Sequence, residues 1–304
     1  MVMSAKVLLV DGTQVLYRSA YATGYKLGSK EPVFGPTTIA TCLGIIRSIA
    51  WKFLPKSVYV VWDGGRSERR MQLLPTYKSG RRELTEEVKV SMLDDILSIS
   101  SILEKICCRV TILTSREADD LISYLSKRFI NPIIISDDTD YMQLIQYGVS
   151  VYRPTSDSFV SKLTFKNKFG VEPESYLIYK ALVGDDSDSI EGIKGIGPVY
   201  AKSILSTNPP IATVKELSEN AEREDVKKRI SQLVLTNLPT IERNVQLLDT
   251  SFEILTSQEV ILIENSMNSD VKFDESVVYD LERVGLSWIT EHFTQWSSPF
   301  RRLI

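Results

Sequence analysis

The sequence predicts an α/β fold with a mainly parallel central sheet flanked by helices. In the first half of the 304-residue chain, short apolar runs alternate with longer segments of helical spacing, which is the pattern of strand–helix–strand units. The first run, residues 6–10, is apolar after its lysine, as expected for a parallel strand that is covered on both faces. The second half is mainly helical in pattern, so we expect residues 1–163 to form an α/β core and residues 164–304 a helical region.

Each predicted element has a local signal. Apolar runs predict strands at residues 6–10, 57–62, 108–113 and 132–136, and residues 149–153 are a candidate fifth strand. Helical spacing predicts helices over 37–53, 85–106, 117–129 and 141–146. Later helical stretches are 174–183, 198–206, 214–238, 241–248 and 274–295, the last as one or two helices after a polar loop at 265–270. The stretch 214–238 contains a basic group, Lys227, Lys228 and Arg229.

Composition excludes several classes of chemistry. The single histidine, His292, rules out Ser–His triads, Cys–His pairs and histidine-rich zinc sites. The three cysteines, Cys42, Cys107 and Cys108, show no CxxC spacing, so neither a disulfide framework nor a zinc site is expected. No signal peptide or run of membrane-spanning length is recognisable, and a cytoplasmic location without membrane contact is expected. Hydrolytic chemistry would therefore depend on carboxylates, metal ions, lysine or tyrosine.

Nine carboxylates follow predicted strands or begin predicted helices and turns. They are Asp11, Asp63, Glu117, Asp119, Asp120, Asp138, Asp140, Asp185 and Asp188. Open α/β sheets bind ligands beyond the carboxyl ends of their strands, so the acids that follow strands should meet at one edge. Crowded carboxylates repel one another, and divalent cations remove that repulsion. Hard oxygen ligands suit Mg²⁺ or Mn²⁺, and two such ions could activate a water for attack on a phosphodiester.

Each of these acids also has a purely structural interpretation. Acidic residues at a helix start favour the helix dipole, which alone could explain Glu117, Asp119 and Asp120. An aspartate after a strand is often a turn residue or an N-cap, which could explain Asp11 and Asp63. The coincidence of all the clusters at one predicted edge favours metal binding for the set.

The segment after the second strand is strongly basic. Its cations and one interleaved aromatic residue are Arg66, Arg69, Arg70, Tyr77, Lys78, Arg81 and Arg82. Because this segment connects Asp63 to the next helix, it should rise from the acidic edge, where its cations would meet the phosphates of a nucleic-acid strand. Lys78 or Arg81 could stabilise transition-state charge at the scissile phosphate. The alternative is a solvated loop, which is the usual meaning of a run of charge.

A glycine-rich hairpin follows Asp185 and Asp188 and leads into a helix at Pro198, a residue that suits the first helical turn. Glycines let backbone N–H groups approach a phosphate closely, and such contacts would position a duplex without reading its bases. The candidates are Gly192, Lys194, Gly195, Ile196, Gly197 and, in the helix, Lys202. A tight turn between two helices is the structural alternative, because a short glycine pattern alone is weak evidence.

Taken in order, these motifs resemble the flap endonuclease and 5′-3′ exonuclease family, which includes the 5′-nuclease domain of bacterial DNA polymerase I and phage enzymes called ribonuclease H or flap endonuclease. The matching residues span most of the first 205 positions. They are Val10-Asp11-Gly12, Trp62-Asp63-Gly64, Arg70 with Leu74-Pro75-x-Tyr77-Lys78-x-x-Arg81, Glu117-Ala118-Asp119-Asp120, Ser136-x-Asp138-x-Asp140, Gly184-Asp185-x-x-Asp188 and Gly192-x-Lys194-Gly195-Ile196-Gly197. The short length is closest to the phage enzymes, whereas Ser189 and Glu191 stand where the family often has Asn and Pro.

The resemblance implies a PIN-like 5′-nuclease core. Residues 64–95 would form a helical arch that passes a 5′ single strand and carries the catalytic candidates Tyr77, Lys78 and Arg81. Residues 174–206 would form a helix–three-turn–helix motif that holds duplex DNA and binds K⁺. Two Mg²⁺ ions, which Mn²⁺ could replace, are implied. The tighter position would use Asp11, Asp63, Glu117, Asp119, Asp120 and Asp138, and the second would use Asp140, Asp185 and Asp188, partly through waters.

The implied activity is that of a Mg²⁺-dependent, structure-specific 5′ nuclease with exonuclease, flap endonuclease and RNase H activities, which removes RNA primers and 5′ flaps in DNA replication. The expected partners are forked, flapped or nicked duplex DNA, RNA–DNA hybrids and, at the C-terminal region, a single-stranded-DNA-binding protein. The enzyme would be a monomer in the cytoplasm, or in the host cytoplasm for a phage enzyme. Two other functions fit parts of the pattern: a non-catalytic branched-DNA-binding protein and a PIN-type ribonuclease, and the glycine hairpin argues against the latter.

Overall fold

The computed structural model describes residues 7–223, 228–251 and 255–303. Its central sheet contains β1 (Val7–Asp11), β2 (Ser57–Trp62), β3 (Arg109–Ile112), β4 (Ile133–Ile135), β5 (Ser150–Arg153) and β6 (Ser158–Val160). The strand order is β3-β2-β1-β4-β5-β6, and neighbouring strands are parallel except β5 and β6. The predicted mainly parallel sheet is confirmed, and β6 is an additional antiparallel strand at its edge.

The sheet reverses its winding between β1 and β4. Strands β2 and β3 lie on one side of β1, and β4 and β5 lie on the other. The carboxyl ends of β1 and β4 therefore flank the crevice in which doubly wound sheets bind their ligands.

Helices cover both faces of the sheet. The first set is α1 (Gly12–Lys26), α2 (Pro36–Phe53), α3 (Glu68–Leu73), α4 (Glu86–Lys105), α5 (Ala118–Ser126), α6 (Lys162–Phe169) and α7 (Tyr176–Val183), with 3₁₀ helices at Asp140–Tyr147 and Pro173–Ser175. A small antiparallel pair, β7 (Gly184–Asp185) and β8 (Ile190–Glu191), encloses a 3₁₀ turn at Asp186–Asp188.

The remaining helices follow this pair. They are α8 (Pro198–Leu205), α9 (Val214–Ala221), α10 (Lys228–Thr236), α11 (Leu238–Leu248), α12 (Ser257–Asn268), α13 (Val277–Arg283), α14 (Ser287–Thr290) and α15 (Phe293–Ser297), with a last 3₁₀ turn at Phe300–Arg302. The glycine hairpin leads into α8 at Pro198, as predicted.

Several predicted elements differ in the structure. The helix predicted over 141–146 is a 3₁₀ helix, and α1, α3, α6 and α12 are helices that were not predicted. The prediction of a polar loop at 265–270 is wrong for the first four of these residues, because α12 continues to Asn268. There Ser266 of α12 contacts β3, with its Oγ 3.0 Å from Thr111 Oγ1.

The late helices are shorter than predicted. The stretch 214–238 divides into α9 and α10, and Lys227 of its basic group lies outside the described residues, whereas Lys228 and Arg229 are exposed in the first turn of α10. The stretch 274–295 holds three short helices, and Gly285, with a φ of +77°, follows the end of α13.

Two apolar clusters form the core, one on each face of the sheet. Consecutive residues of β1 divide between them: Leu9 belongs to one cluster, and Leu8 and Val10 belong to the other. The first cluster continues through α5, α7, α8 and α11, and the second through α2, α4 and the residues after 277. The helices after residue 163 thus share both clusters with the sheet, and a domain boundary at 163/164 stays a prediction.

Gly12 provides a test of packing at the start of α1. A Cβ added there would lie 2.8 Å from the Trp62 ring and 2.9 Å from Val60 Cγ1, and both of these side chains are fully buried. Gly12→Ala should therefore lower the free energy of unfolding by about 1–3 kcal/mol in urea titrations, through overpacking.

Gly44→Ala is the matched control. A Cβ at this exposed position within α2 meets nothing within 4 Å. Alanine should stabilise the helix by about 0.5–1 kcal/mol. If both substitutions changed stability in the same direction, the packing described for Gly12 would be wrong.

Candidate active site

The acids at the carboxyl ends of β1, β2 and β4 lie at the reversal of the sheet. Asp11 ends β1 and is buried. One of its oxygens accepts a 3.0 Å hydrogen bond from Gln14 N as the N-cap of α1, and the other accepts bonds of 3.1 Å from Ser136 Oγ and Tyr141 Oη. Asp63 follows β2 and Asp138 follows β4, and both are open to solvent.

The first turn of α5 supplies the next three acids. One carboxylate oxygen from each of Glu117, Asp119 and Asp120 lies within 4.8 Å of the other two. Asp63 Oδ1 accepts a 2.6 Å hydrogen bond from Ala118 N, which ties the end of β2 to this turn. Glu117 and Asp120 are buried, and Asp119 is half-buried, so this turn presents Asp119 most openly.

Arg70 on α3 pairs with both buried acids, Glu117 and Asp120. Its Nη1 donates to Glu117 Oε2 at 2.7 Å and to Asp120 Oδ2 at 3.0 Å, and its Nη2 donates to Asp120 Oδ1 at 2.6 Å. Its side chain is only 1% exposed. The expectation that Arg70 contacts DNA is therefore wrong for this structure, because the guanidinium faces inward.

Tyr77 and Lys78 complete the surroundings of Glu117. Tyr77 Oη donates to Glu117 Oε2 at 3.0 Å, and Lys78 Nζ donates to Glu117 Oε1 at 2.7 Å. Both residues are buried, and Lys78 has a φ of +55°. The basic segment thus turns two of its side chains down onto the acidic cluster.

A second acidic group surrounds Lys180, a residue of α7 that the sequence analysis did not single out. Lys180 Nζ lies 3.0 Å from Asp140 Oδ1 and also bonds to Asp185 Oδ2. Burial would lower the pKa of Lys180, but Asp140 and Asp185 raise it above its ordinary value. Asp140 N donates to Asp138 Oδ1 at 2.8 Å, which joins this group to the first. The sequence of the mainly apolar helix α7 does not indicate that its lysine points into the protein. The only hint is the acidic segment that begins at Asp185, a few residues later.

The 3₁₀ turn between β7 and β8 places Asp188 beside the basic segment. Arg81 Nη2 lies 2.7 Å from Asp188 Oδ1, and Lys78 Nζ lies 4.0 Å from its Oδ2. The backbone is joined as well, because Lys78 N donates to Asp188 O at 2.9 Å. Asp185 is the N-cap of this 3₁₀ turn, and Asp188 is its last residue.

Burial and, to a smaller extent, neighbouring negative charge raise the pKa values of several of these acids. Burial, followed by the charge of Asp63, raises the pKa of Asp11 to about 7. Loss of hydration also raises the pKa of Asp63 and of Asp138 to about 6, although solvent reaches both side chains. Burial and the charge of Asp138 raise the pKa of Asp140 to about 8. The structure thus brings all nine predicted acids to one electrostatically connected crevice.

This donor set fits divalent cations. It consists of hard oxygen ligands, several of them close enough to raise one another's pKa, and added positive charge would stabilise their ionised forms. Of the described residues, Glu117, Asp119 and Asp120 form the group compact enough to hold one ion.

Most of the other candidate DNA-binding residues lie at the surface. Arg66, Arg69 and Arg82 are exposed, and Arg82 pairs with Glu31. In the hairpin, Lys194, Gly195 and Gly197 are exposed, Gly192 is half-buried, and the Ile196 side chain is buried, so Ile196 could offer a ligand only its backbone. Lys202 Nζ lies 5.8 Å from the centroid of the Tyr179 ring.

Comparisons with known proteins agree on one family. The model of the 5′-3′ exonuclease N-terminal resolvase-like domain matches residues 6–170. A 5′-3′ exonuclease of Aquifex aeolicus is 32% identical over 232 residues, covering 75% of this chain and 78% of that protein. Flap endonuclease Xni of Shewanella baltica is 29% identical over 287 residues, covering 87% and 99%. The bacteriophage T5 D15 protein, crystallised with metal ions, has a similar fold, with a TM-score of 0.65 at 21% identity over 91% of this chain and 98% of that one.

The fold and the acidic crevice define a nuclease with a PIN-like core that hydrolyses phosphodiester bonds. The family model covers more than half of the chain, and the chain belongs to the 5′-3′ exonuclease family. The family predicted from the ordered motifs is confirmed, and so is the prediction that the protein is an enzyme. A non-catalytic DNA-binding protein, the first alternative, is thereby set aside.

None of the described helices combines the length and apolar character needed to cross a membrane.

The pKa of Asp11 leads to a prediction for the metal-free protein. Because its native pKa of about 7 lies above the ordinary value of 3.8, the native state binds this proton more tightly than the unfolded chain does. The free energy of unfolding should fall as the pH rises through that interval. Asp11→Asn removes the ionisable group and should be more stable than wild type at about pH 8, by on the order of 2 kcal/mol, in urea titrations with EDTA. Equal pH slopes for the two proteins would contradict this.

Proposed function

We propose that the protein is a Mg²⁺-dependent, structure-specific 5′ nuclease that removes 5′ flaps and RNA primers during DNA replication, with exonuclease, flap endonuclease and RNase H activities. The observation that carries the proposal is the convergence of acids from two parts of the chain. Asp11, Asp63 and Asp138 follow strands of the sheet, whereas Asp185 and Asp188 belong to the hairpin pair that leads to the glycine segment. A phosphodiester held by the glycine segment would thus lie close to the carboxylates.

Two Mg²⁺ ions, or Mn²⁺ in their place, would be held by these acids. Asp11, Asp63, Glu117, Asp119, Asp120 and Asp138 would serve the tighter position, and Asp140, Asp185 and Asp188 the second, partly through waters. When bound, such ions supply Lewis-acid activation and neutralise charge on the phosphodiester. Crystallisation of the T5 D15 protein with metal ions supports this cofactor class.

The cations of the basic segment would act on the substrate phosphate. Lys78 Nζ and Arg81 Nη2 both reach Asp188, so both charges already face the crevice. Their positive charge would stabilise the negative charge that develops at the scissile phosphate. Tyr77 Oη donates to Glu117, and it would hold that carboxylate in place rather than contact the phosphate.

The glycine segment and neighbouring surface arginines would hold the DNA. Exposed Lys194, the backbone around Gly195 and Gly197, and Lys202 would contact phosphates of a duplex, and the hairpin would bind a K⁺ ion. Arg66, Arg69 and Arg82 would guide the 5′ strand along residues 64–95 as an arch.

The proposed substrates are forked, flapped or nicked duplexes and RNA–DNA hybrids. The name of the Shewanella relative and the complex of the T5 D15 flap endonuclease with DNA and metal ions support a flap substrate. We also propose that the protein is a monomer and that it acts in the cytoplasm, which would be the host cytoplasm if it is a phage enzyme. A single-stranded-DNA-binding protein would bind its C-terminal region.

Asp138→Asn tests the catalytic assignment directly. The substitution keeps the size of the side chain but removes a charge from the crevice, and cleavage of a 5′-labelled flap with Mg²⁺ should fall at least about 100-fold. Binding of the same flap without metal, measured by fluorescence anisotropy, should stay within a few-fold of wild type. Asp185→Asn should behave in the same way.

Asp137→Asn is the control for these variants. Asp137 follows the same strand as Asp138, but its carboxylate accepts bonds from Thr155 N and Gln14 Nε2. It should retain cleavage. Full activity of both Asp138→Asn and Asp185→Asn would refute the nuclease site, and an RNA-only substrate preference would favour the PIN-type ribonuclease.

Lys194→Ala tests the duplex contact. If Lys194 neutralises one phosphate, the slope of log binding constant against log salt should become shallower by about 0.9. Lys272→Ala removes another exposed lysine, which pairs with Asp270 near α12, and its slope should match that of wild type. An unchanged slope for Lys194→Ala would remove this residue from the interface.

A further inference from the structure

Arg70 has every donor of its guanidinium engaged. Besides the three bonds to Glu117 and Asp120, Nε donates to Leu247 O at 3.1 Å and Nη2 donates to Asp249 O at 3.1 Å. A guanidinium carries five N–H groups, and here five acceptors receive them. No donor is left for a phosphate.

The five acceptors come from two distant parts of the fold. Glu117 and Asp120 belong to the first turn of α5, and Leu247 and Asp249 lie at the end of α11. Arg70 itself lies on α3, at the start of the basic segment. One buried side chain therefore joins the base of that segment, the acidic turn and α11.

Of the two acids that Arg70 contacts, Asp120 accepts hydrogen bonds from it on both carboxylate oxygens. Arg70 contacts Asp120 Oδ1 and Oδ2, and Asp120 is nearly inaccessible to solvent. The neighbouring Asp119 is held less tightly: its Oδ1 accepts a bond from Asp120 N at 2.8 Å and lies 4.0 Å from Arg70 Nη1. Arg70 thus holds the carboxylates of Glu117 and Asp120, and Asp119 between them remains the most accessible acid of this turn.

We propose that Arg70 is a positioning residue of the metal site: it acts through Glu117 and Asp120, whose orientation it sets against the end of α11, and it does not contact DNA. The proposal rests on the metal-dependent function proposed above. Its basis is the planar fork of donors, which a lysine cannot reproduce. Groups that orient metal ligands through hydrogen bonds commonly contribute a factor of about 10 to 100 in metal affinity.

Arg70→Lys is the principal test, because it keeps the positive charge and removes the fork. Mn²⁺ binding to the protein, followed by electron paramagnetic resonance without DNA, should weaken by about 10- to 100-fold. Flap binding in EDTA should keep the wild-type affinity and salt slope. A phosphate contact predicts the reverse pattern: unchanged Mn²⁺ affinity and a salt slope that is shallower when the contact is lost.

Arg70→Gln separates positioning from charge. Loss of the positive charge beside the acids should by itself tighten Mn²⁺ binding, because less positive charge would repel the ion. Loss of the planar set of guanidinium donors should weaken it, because the carboxylates would no longer be oriented. Weaker binding supports the proposal, and tighter binding overturns it.

Arg47→Lys is the matched control. Arg47 also donates through Nε and Nη2 to backbone carbonyls, those of Trp296 and Gln295, but it lies on α2 away from the acids. This variant should bind Mn²⁺ as wild type does. Near-UV circular dichroism at low temperature checks that each variant is folded.

The possible outcomes are distinct. Wild-type protein that fails to bind Mn²⁺ would refute the proposed function itself. Wild-type Mn²⁺ affinity in Arg70→Lys would overturn only the role of Arg70. Loss of native structure in both Arg70 variants would also overturn it, because Arg70 would then be required for folding as a whole.

Discussion

The structure depends on a balance between crowded carboxylates and a few inward-facing cations. Nine acids meet at the carboxyl ends of β1, β2 and β4, and burial without compensation would be very costly for so much negative charge. Arg70, Lys78 and Lys180 lie among them, each with a side chain that is at most 12% exposed. These cations hold the acids close together, and they leave enough negative charge for divalent ions to be attracted.

Helix α11 stabilises this arrangement through hydrogen bonds to the elements that carry the acids. Asn244 is fully buried and donates to Ala181 O at 3.0 Å and to Glu191 O at 2.8 Å, which joins α7 to the strand before the glycine segment. Gln143 Nε2 donates to Leu248 O at 2.9 Å from the 3₁₀ helix that begins at Asp140. One helix that contributes none of the nine acids therefore links the elements that carry the acids to the segment of the proposed duplex contacts.

The sequence was sufficient for the sheet and the acids but not for the cations. Continuously apolar strands that end in aspartate follow from composition and parallel topology alone, and so Asp11 and Asp63 could be placed at one edge. A run of arginines and lysines does not reveal which side chain turns inward, because that depends on where α5 and α11 pack. For that reason Arg70 was assigned to DNA and Lys180 was overlooked. The loop predicted at 265–270 overlaps the end of α12, because polar composition does not reveal a contact such as that of Ser266 with the edge strand β3.

The contacts of Arg70 also bear on how the chain matures on the ribosome. This residue precedes two of its acceptors, Leu247 and Asp249, by 177 and 179 positions. All nine acids have been synthesised by residue 188, yet the guanidinium that orders two of them must wait for the carbonyls at the end of α11. A nascent polypeptide that stops short of this point carries every acid but still lacks two of the five acceptors that hold Arg70.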